Sequence, residues 1–279
     1  MRKLFGILGW PVWHSRSPAM LTAAFTAAKI NAVYVPFGVP PSRLPEAVAG
    51  LAALGAEGVN VTVPHKEAIV PLLDRVDPEA RAIGAVNVVI RERRLLTGIN
   101  TDARGLVLSL AEAGFDPEGA EIVVVGAGGA ARAAVVGLGR AGATRIAVMA
   151  RRQEAAERLV EQLGGAVGHA HLEASGLGAR GSVAAFRSAR LLVQATTATM
   201  DDGPDASRFA AALPLDLLHE GAVVTDVVYT PRDTAVLRAA RALGLATVNG
   251  SGMLLHQGAL AFARWTGRPA PLEVMREAL

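Results

Sequence analysis

Ten residues near the middle of the chain, Ile122-Val-Val-Val-Gly-Ala-Gly-Gly-Ala-Ala131, leave few folds open. Four β-forming apolar residues make a short strand of the type buried on both faces of a parallel sheet. Gly126, Gly128 and Ala131 follow in GxGxxA spacing, directly before a helical pattern. Gly126 permits a tight turn, Gly128 lets the backbone approach a pyrophosphate, and Ala131 lets the helix pack closely on the strand. The helix N-terminus offers free amides and a partial positive charge to phosphate groups. This stretch predicts an α/β fold in which a parallel sheet holds a dinucleotide, a Rossmann-type domain.

The end of the next strand selects the dinucleotide. Arg145–Met149 reads as that strand, and Gln153–Leu163 as the helix after it. NAD sites usually place an acid between the two, where it holds the ribose 2′-hydroxyl. This chain has Ala150-Arg151-Arg152 and no acid until Glu154. Two guanidinium groups suit a 2′-phosphate, which they can grip through forked hydrogen bonds. The expected cofactor is NADP.

Val- and Ile-rich runs alternate with helical patterns elsewhere, the mark of α/β structure. Residues 3–9, 32–38, 58–63 and 86–91 read as strands, with a turn over Arg91–Arg94. Ser17-Pro18 opens a helix to about Ile30, with Ser17 as its cap. Further helices are expected over 43–54, from about Glu67, and from Asp102 to about Ala113. After the glycine turn come a helix over 132–142, strands at 191–195, 223–228 and 246–248, and a helix over 234–243. A long amphipathic helix over about 253–266 and a short one after Pro271 close the chain. Gly164–Gly181 is Gly-rich and carries no clear period. A new unit begins at Glu121.

Composition excludes several classes. There is no cysteine among the 279 residues, so disulfides and thiolate metal sites are ruled out and a reducing, cytoplasmic setting is expected. The six histidines form no metal-binding spacing, and no metal is expected. The basic start at Arg2-Lys3 meets glycines and a proline and lacks a small-residue cleavage site, so it does not read as a secretion signal. No apolar stretch approaches the ~20 residues needed to span a bilayer. The formal charge is +3 and the bases are scattered, which argues against nucleic acid.

Only three of the 28 basic residues are lysine, and one of them, Lys66, sits in a motif. That motif is Asn60-Val-Thr-Val-Pro-His-Lys66, a strand and its exit. A second is Gly98-Ile-Asn-Thr-Asp102, ending at a helix cap. An amine can titrate where a guanidinium stays charged. Lysine and aspartate meeting at the carboxyl ends of strands would make a proton-transfer pair. From these residues alone, a structural ion pair plus a helix cap at Asp102 fits equally well.

Taken together, His14-Ser-Arg-Ser-Pro18, the Asn60–Lys66 and Gly98–Asp102 motifs, the glycine turn, Asp226-Val-Val-Tyr-Thr-Pro231 and Gln257 occur in the order found in the shikimate dehydrogenase family, which the chain resembles from Ser15 to Gln257. The resemblance implies reduction of 3-dehydroshikimate to shikimate by NADPH, in the biosynthesis of chorismate and the aromatic amino acids. It implies a discontinuous substrate-binding α/β domain, 1–102 with 251–279, around an NADP-binding domain, 103–250, and a catalytic pair of Lys66 and Asp102. Ser15 and Ser17 would bind the substrate carboxylate, with Asn60, Thr62, Asn87 and Gln257 on the ring hydroxyls and carboxylate, and Tyr229 near carboxylate and cofactor. Gly126, Ala127, Gly128, Gly129 and Ala130 would cradle the pyrophosphate. Arg151, with Arg152, would contact the 2′-phosphate, Thr196 and Val227 would face the cofactor, and Gly250 and Met253 would lie near the nicotinamide. A polyhydroxylated acid calls for such neutral hydrogen-bonding groups, and sites built that way discriminate strongly.

The chain departs from the family pattern at four places. Leu21-Thr22 replaces the usual His-Asn, and Ala150-Arg151-Arg152 replaces Asn-Arg-Thr. Gln194-Ala195-Thr196 stands for Asn-Ala-Thr, and Thr199 stands for glycine. A quinate/shikimate dehydrogenase or a paralogue acting on a related ring acid, distinguished by accepting quinate or NAD, and a non-catalytic NADP-binding regulator, are the alternatives. The expected partners are the small ring acid and the cofactor, in a monomer or homodimer.

Overall fold

The computed structural model describes residues 2–179 and 182–279. It divides into two compact units, Met1–Gly105 with Leu254–Leu279, and Leu106–Met253.

The first unit is built on β1 (Lys3–Gly9), α1 (Ser17–Ala27), β2 (Ala32–Gly38), α2 (Leu44–Ala53), β3 (Ala56–Val61), β4 (Arg75–Val76), α3 (Pro78–Ile83), β5 (Val88–Glu92) and β6 (Leu95–Ile99). Its sheet runs β2-β1-β3-β5-β6-β4. β1 pairs in parallel with β2 and β3, whereas β5 lies antiparallel to β3 and β6. The β5–β6 hairpin turns at Arg93, which adopts positive φ. Leu8, Val59, Val61 and Val89 fill one face against α2 residues Val48 and Leu51. Gly58 must lack a side chain because the Trp265 indole lies where its Cβ would stand, and that indole donates to Val89 O at 3.1 Å.

α4 (Asp102–Glu112) leads from the first unit into the second. The second unit comprises β7 (Glu121–Val125), α5 (Gly129–Arg140), β8 (Arg145–Ala150), α6 (Gln153–Leu163), β9 (His171–Gly176), α7 (Ser182–Ser188), β10 (Leu191–Gln194), α8 (Pro204–Ala211), β11 (Val223–Asp226), α9 (Ala235–Ala242) and β12 (Ala246–Asn249). All its strands are parallel, in the order β12-β11-β10-β7-β8-β9. The chain winds one way from β7 to β9 and the other way from β10 to β12, so the sheet is doubly wound, with its switch point between β7 and β10. Val123, Val125, Met149, Leu192 and Val224 are buried in its core. α10 (Ser251–Thr266) and α11 (Leu272–Glu277) end the chain.

The α/β reading and the Rossmann-type sheet hold, with four local corrections. The segment after Glu67 is a run of turns with a 3-10 turn at Val70–Leu72, because Pro71 and Pro78 leave no room for a longer helix. Ser17 is the first residue of α1 and not its cap; Arg16 holds that position without a side-chain hydrogen bond. α1 ends at Ala27, and Lys29 adopts positive φ just beyond it. α5 starts at Gly129, so the end of the glycine motif is already the helix's first turn. Within Gly164–Gly181 the structure has β9; residues 180 and 181 lie outside the described residues. No helix among the described residues is long and apolar enough to cross a membrane.

Candidate active site

Lys66 is carried by a turn tied on several sides. Thr62 N donates to Leu8 O at 2.8 Å, His65 N to Thr62 O at 2.9 Å, and Val86 N to Lys66 O at 2.8 Å. The buried His65 ring sits 2.7 Å from Val39 O. From this base Lys66 Nζ donates to Asp102 Oδ2 at 2.6 Å, with the two side chains 15% and 5% exposed.

Asp102 opens α4, but its carboxylate does not cap the helix. Asn100 Oδ1 does so, accepting from Asp102 N at 3.0 Å and Ala103 N at 3.2 Å. Asn100 is itself held by donation to Ala85 O. Both Asp102 oxygens are therefore free for side-chain donors, and Oδ1 accepts from Asn87 Nδ2 at 2.9 Å. Asn87 is buried and lies at the centre of the group. Its amide also reaches Thr101 Oγ1 at 2.9 Å and Gln257 Oε1 at 3.3 Å, while its Oδ1 accepts from Thr101 N at 2.7 Å. Four predicted residues, Lys66, Asp102, Asn87 and Gln257, thus form one connected network.

Asn60 joins from β3. Its Nδ2 faces Asn87 O at 3.4 Å and its Oδ1 accepts from Tyr34 OH at 2.7 Å. Thr62 is half-buried and lies against Gly9, whose Cβ would stand 2.5 Å from Thr62 Cγ2. Ser15 Oγ accepts from Ser17 N at 3.2 Å, which fixes both serines at the start of α1. These groups follow the carboxyl ends of β1 and β3, where open α/β sheets place their ligands.

The second unit holds the other candidates. Gly126 has φ +131°, and a Cβ there would stand 2.9 Å from Ala195 O and 3.2 Å from Thr196 Cγ2. Gly128 precedes α5 and no side chain caps the helix. Its first-turn amides, those of Gly129 and Ala130 among them, are left for an anion, and Ala127 is half-buried in the turn. Arg151 and Arg152 are exposed just after β8, and neither joins an ion pair among the described residues. A cradle a Cβ would obstruct, an uncapped helix end and two free guanidinium groups fit a phosphorylated dinucleotide. Val227 and Tyr229 are half-buried, and Gly250 and Met253 buried. Gly250 packs on Val227 O, which a Cβ would meet.

Sequence reasoning left four polar residues unassigned. Asn100 and Thr101 lay inside a quoted motif without a role. Tyr34 is one of only two tyrosines and sits in an apolar strand, a placement that calls for a hydroxyl partner. Asp226 is fully buried at the end of β11, where it accepts from four donors. Burial pushes its carboxyl above the ordinary range, against the opposing pull of hydrogen bonds from Thr234, Val228, Thr199 and Gln194.

Three family models match the chain: the shikimate dehydrogenase substrate binding domain over residues 7–89, shikimate/quinate 5-dehydrogenase over 109–176, and the shikimate 5′-dehydrogenase C-terminal domain over 250–279. Shikimate dehydrogenase (NADP(+)) of Symbiobacterium thermophilum is 47% identical, covering 99% of this chain and 93% of its own length. The enzyme of the same name from Methanopyrus kandleri is 46% identical over 98% of this chain and 93% of its own. The solved shikimate 5-dehydrogenase of Thermus thermophilus, in complex with NADP(H) and shikimate, superposes with a TM-score of 0.85 at 37% identity, covering 99% of this chain and 98% of that one.

Proposed function

Since the chain belongs to the shikimate dehydrogenase family, we propose that it reduces 3-dehydroshikimate to shikimate with NADPH, reversibly, through Lys66 and Asp102. The observation that carries this reading is the 2.6 Å contact from Lys66 Nζ to Asp102 Oδ2, with Asn87 on the other carboxylate oxygen.

Bound NADPH supplies the hydride that reduces the ring ketone. Lys66 Nζ donates a proton to the oxygen as it gains negative charge, and Asp102 holds the amine in place and shares its charge. Asn87 fixes Asp102 from the other side. Ser15 and Ser17 bind the substrate carboxylate. Asn60, Thr62, Asn87 and Gln257 bind the ring hydroxyls, and Tyr229 adds a phenol toward the carboxylate. A keto acid lacking one hydroxyl leaves buried groups unpaired, so such analogues are strongly rejected.

Gly126 through Ala130 hold the pyrophosphate at the start of α5. Arg151 and Arg152 take the 2′-phosphate, with Thr196, Val227, Gly250 and Met253 along the remainder of the cofactor. Residues 1–102 with 251–279 act as the substrate-binding domain and 103–250 as the NADP-binding domain. The protein works in the cytoplasm as a monomer or homodimer; a chain free of cysteine suits that compartment.

The test is absorbance at the NADPH band with shikimate or quinate against NADP⁺ or NAD⁺. Shikimate with NADP⁺ is expected to give the highest kcat/KM of the four combinations. A higher value for quinate, or for NAD⁺, would overturn the substrate or cofactor assignment respectively.

A further inference from the structure

Gln194 and Thr199, two of the four departures from the family pattern, touch each other and share a third partner. Gln194 Nε2 lies 2.9 Å from Thr199 Oγ1 and donates to Asp226 Oδ1 at 3.0 Å. Thr199 Oγ1 donates to Asp226 Oδ2 at 2.8 Å, and Thr234 Oγ1 donates to the same oxygen at 2.7 Å. All four side chains are fully buried. Gln194 and Asp226 are register partners at the carboxyl ends of β10 and β11.

What the cluster holds is the backbone after β10. Gln194 Oε1 accepts from Thr196 N at 2.5 Å and Gln194 Nε2 reaches Thr196 O at 3.1 Å, so one amide grips both polar groups of Thr196. Thr199 anchors the far end of the same loop to Asp226. That loop borders the glycine turn, since the carbonyl group of Ala195 and Thr196 Cγ2 are the atoms nearest a Cβ on Gly126. It leaves the sheet at the switch point between β7 and β10, where doubly wound sheets bind their ligand. Asp226 also accepts from Val228 N at 3.0 Å, which fixes the next segment, and Val227 N donates to Gln194 O at 3.0 Å.

We propose that Gln194, Thr199 and Asp226 act together as a positioning clamp that sets the Ala195–Thr199 loop against the glycine turn and so determines affinity for the dinucleotide. The longer glutamine and the added hydroxyl are complementary: each gives the other a hydrogen-bond partner in a fully buried site, where an unpaired group is costly. None of the three touches the reacting atoms; they act through the loop.

This inference rests on the NADPH reading above. The test measures NADPH affinity of the full chain at 25 °C by cofactor fluorescence, alongside thermal melting, for Thr199→Val, Gln194→Leu and the double variant. Each single change is expected to weaken NADPH about 5–150-fold, the range for removing one partner from a buried hydrogen-bonded group. The double variant should be no weaker than the worse single one, because both disable the same clamp. Thr199→Ser, which keeps the hydroxyl, should bind within twofold of wild type. Should Gln194→Leu fail to fold, Gln194→Asn, one methylene short of Thr199, should weaken NADPH at least fivefold. Variants that melt earlier yet bind NADPH within twofold of wild type would reduce the cluster to a stabilising role and overturn the proposal. A wild type that does not bind NADPH would overturn both this inference and the reading beneath it.

Discussion

Replacing Lys66 by Met keeps most of the side-chain stem and removes the ammonium. Asp102 Oδ2 then has no donor, while Oδ1 keeps Asn87. A carboxylate oxygen orphaned in this way costs about 1–3 kcal/mol. That is less than the ~3–5 kcal/mol of a fully buried broken pair, because Lys66 is 15% exposed and water can reach the vacated place. At about 2–4 °C per kcal/mol for a protein of this size, the melting point should fall by roughly 2–12 °C, leaving the variant folded at 25 °C. The rate is expected to suffer far more. Loss of a positioned proton donor lowers kcat by about 10²–10⁴, or roughly 3–5 kcal/mol in the barrier. NADPH affinity should stay within about twofold, since no cofactor-binding segment is disturbed. Adding Asp102→Asn removes the orphaned charge and should recover part of the lost stability but none of the rate. The assay is steady-state NADPH absorbance with saturating substrates, beside thermal melting of the same samples. A folded Lys66→Met protein with kcat within threefold of wild type would refute the proton-transfer role.

Arg151→Ala should weaken NADPH by about 1.5–3 kcal/mol, as for a lost hydrogen bond to a charged group, and leave NADH nearly unchanged; parallel titrations check this, and equal losses would place Arg151 away from the 2′-phosphate. Gly126→Ala should raise KM for NADP⁺ at least tenfold with little change in KM for shikimate, because a Cβ at φ +131° is strained and crowds Ala195 O; an unchanged KM for NADP⁺ would contradict the cradle. Asp226 gives a pH signature. Its carboxyl is raised by burial, so the protonated form favours the folded state. The stability it contributes is fully present below the ordinary carboxylate pKa and is lost as pH rises through the raised value. The stability difference between wild type and Asp226→Asn should therefore shrink with rising pH in a denaturation series, and growth of that difference would reverse the assignment.

The strongly patterned elements were legible because their physics is local. A Val- and Ile-rich run such as Ile122–Val125 can only be a strand buried on both faces, and the glycines after it admit few turns. β4, two residues long, gives no periodic signal. β9, His171–Gly176, is a half-exposed edge strand with neither a clean alternation nor an apolar run. α3 was legible in principle: Asp77 caps it by accepting from Ala80 N, and Pro78 opens it, but its six residues are too few to show a helical stripe. At the site, the scarcity of lysine pointed to Lys66. The role of Asn100 could not be read, because whether Asn100 or Asp102 caps α4 depends on which oxygen the folded backbone places near the free amides. Asp226 left a signal that went unused: an acid ending an apolar strand is costly unless donors surround it.

In the proposed reaction a hydride passes to the ring ketone, and Lys66 and Asp102 complete the reduction. The most direct measurement uses NADPH carrying deuterium at both C4 positions, with 3-dehydroshikimate as substrate and mass spectrometry of the shikimate formed. One deuterium on the carbon that bore the ketone is expected, with a matching loss of NADPH absorbance. Shikimate formed without deuterium, or no product from folded protein, would contradict this reaction.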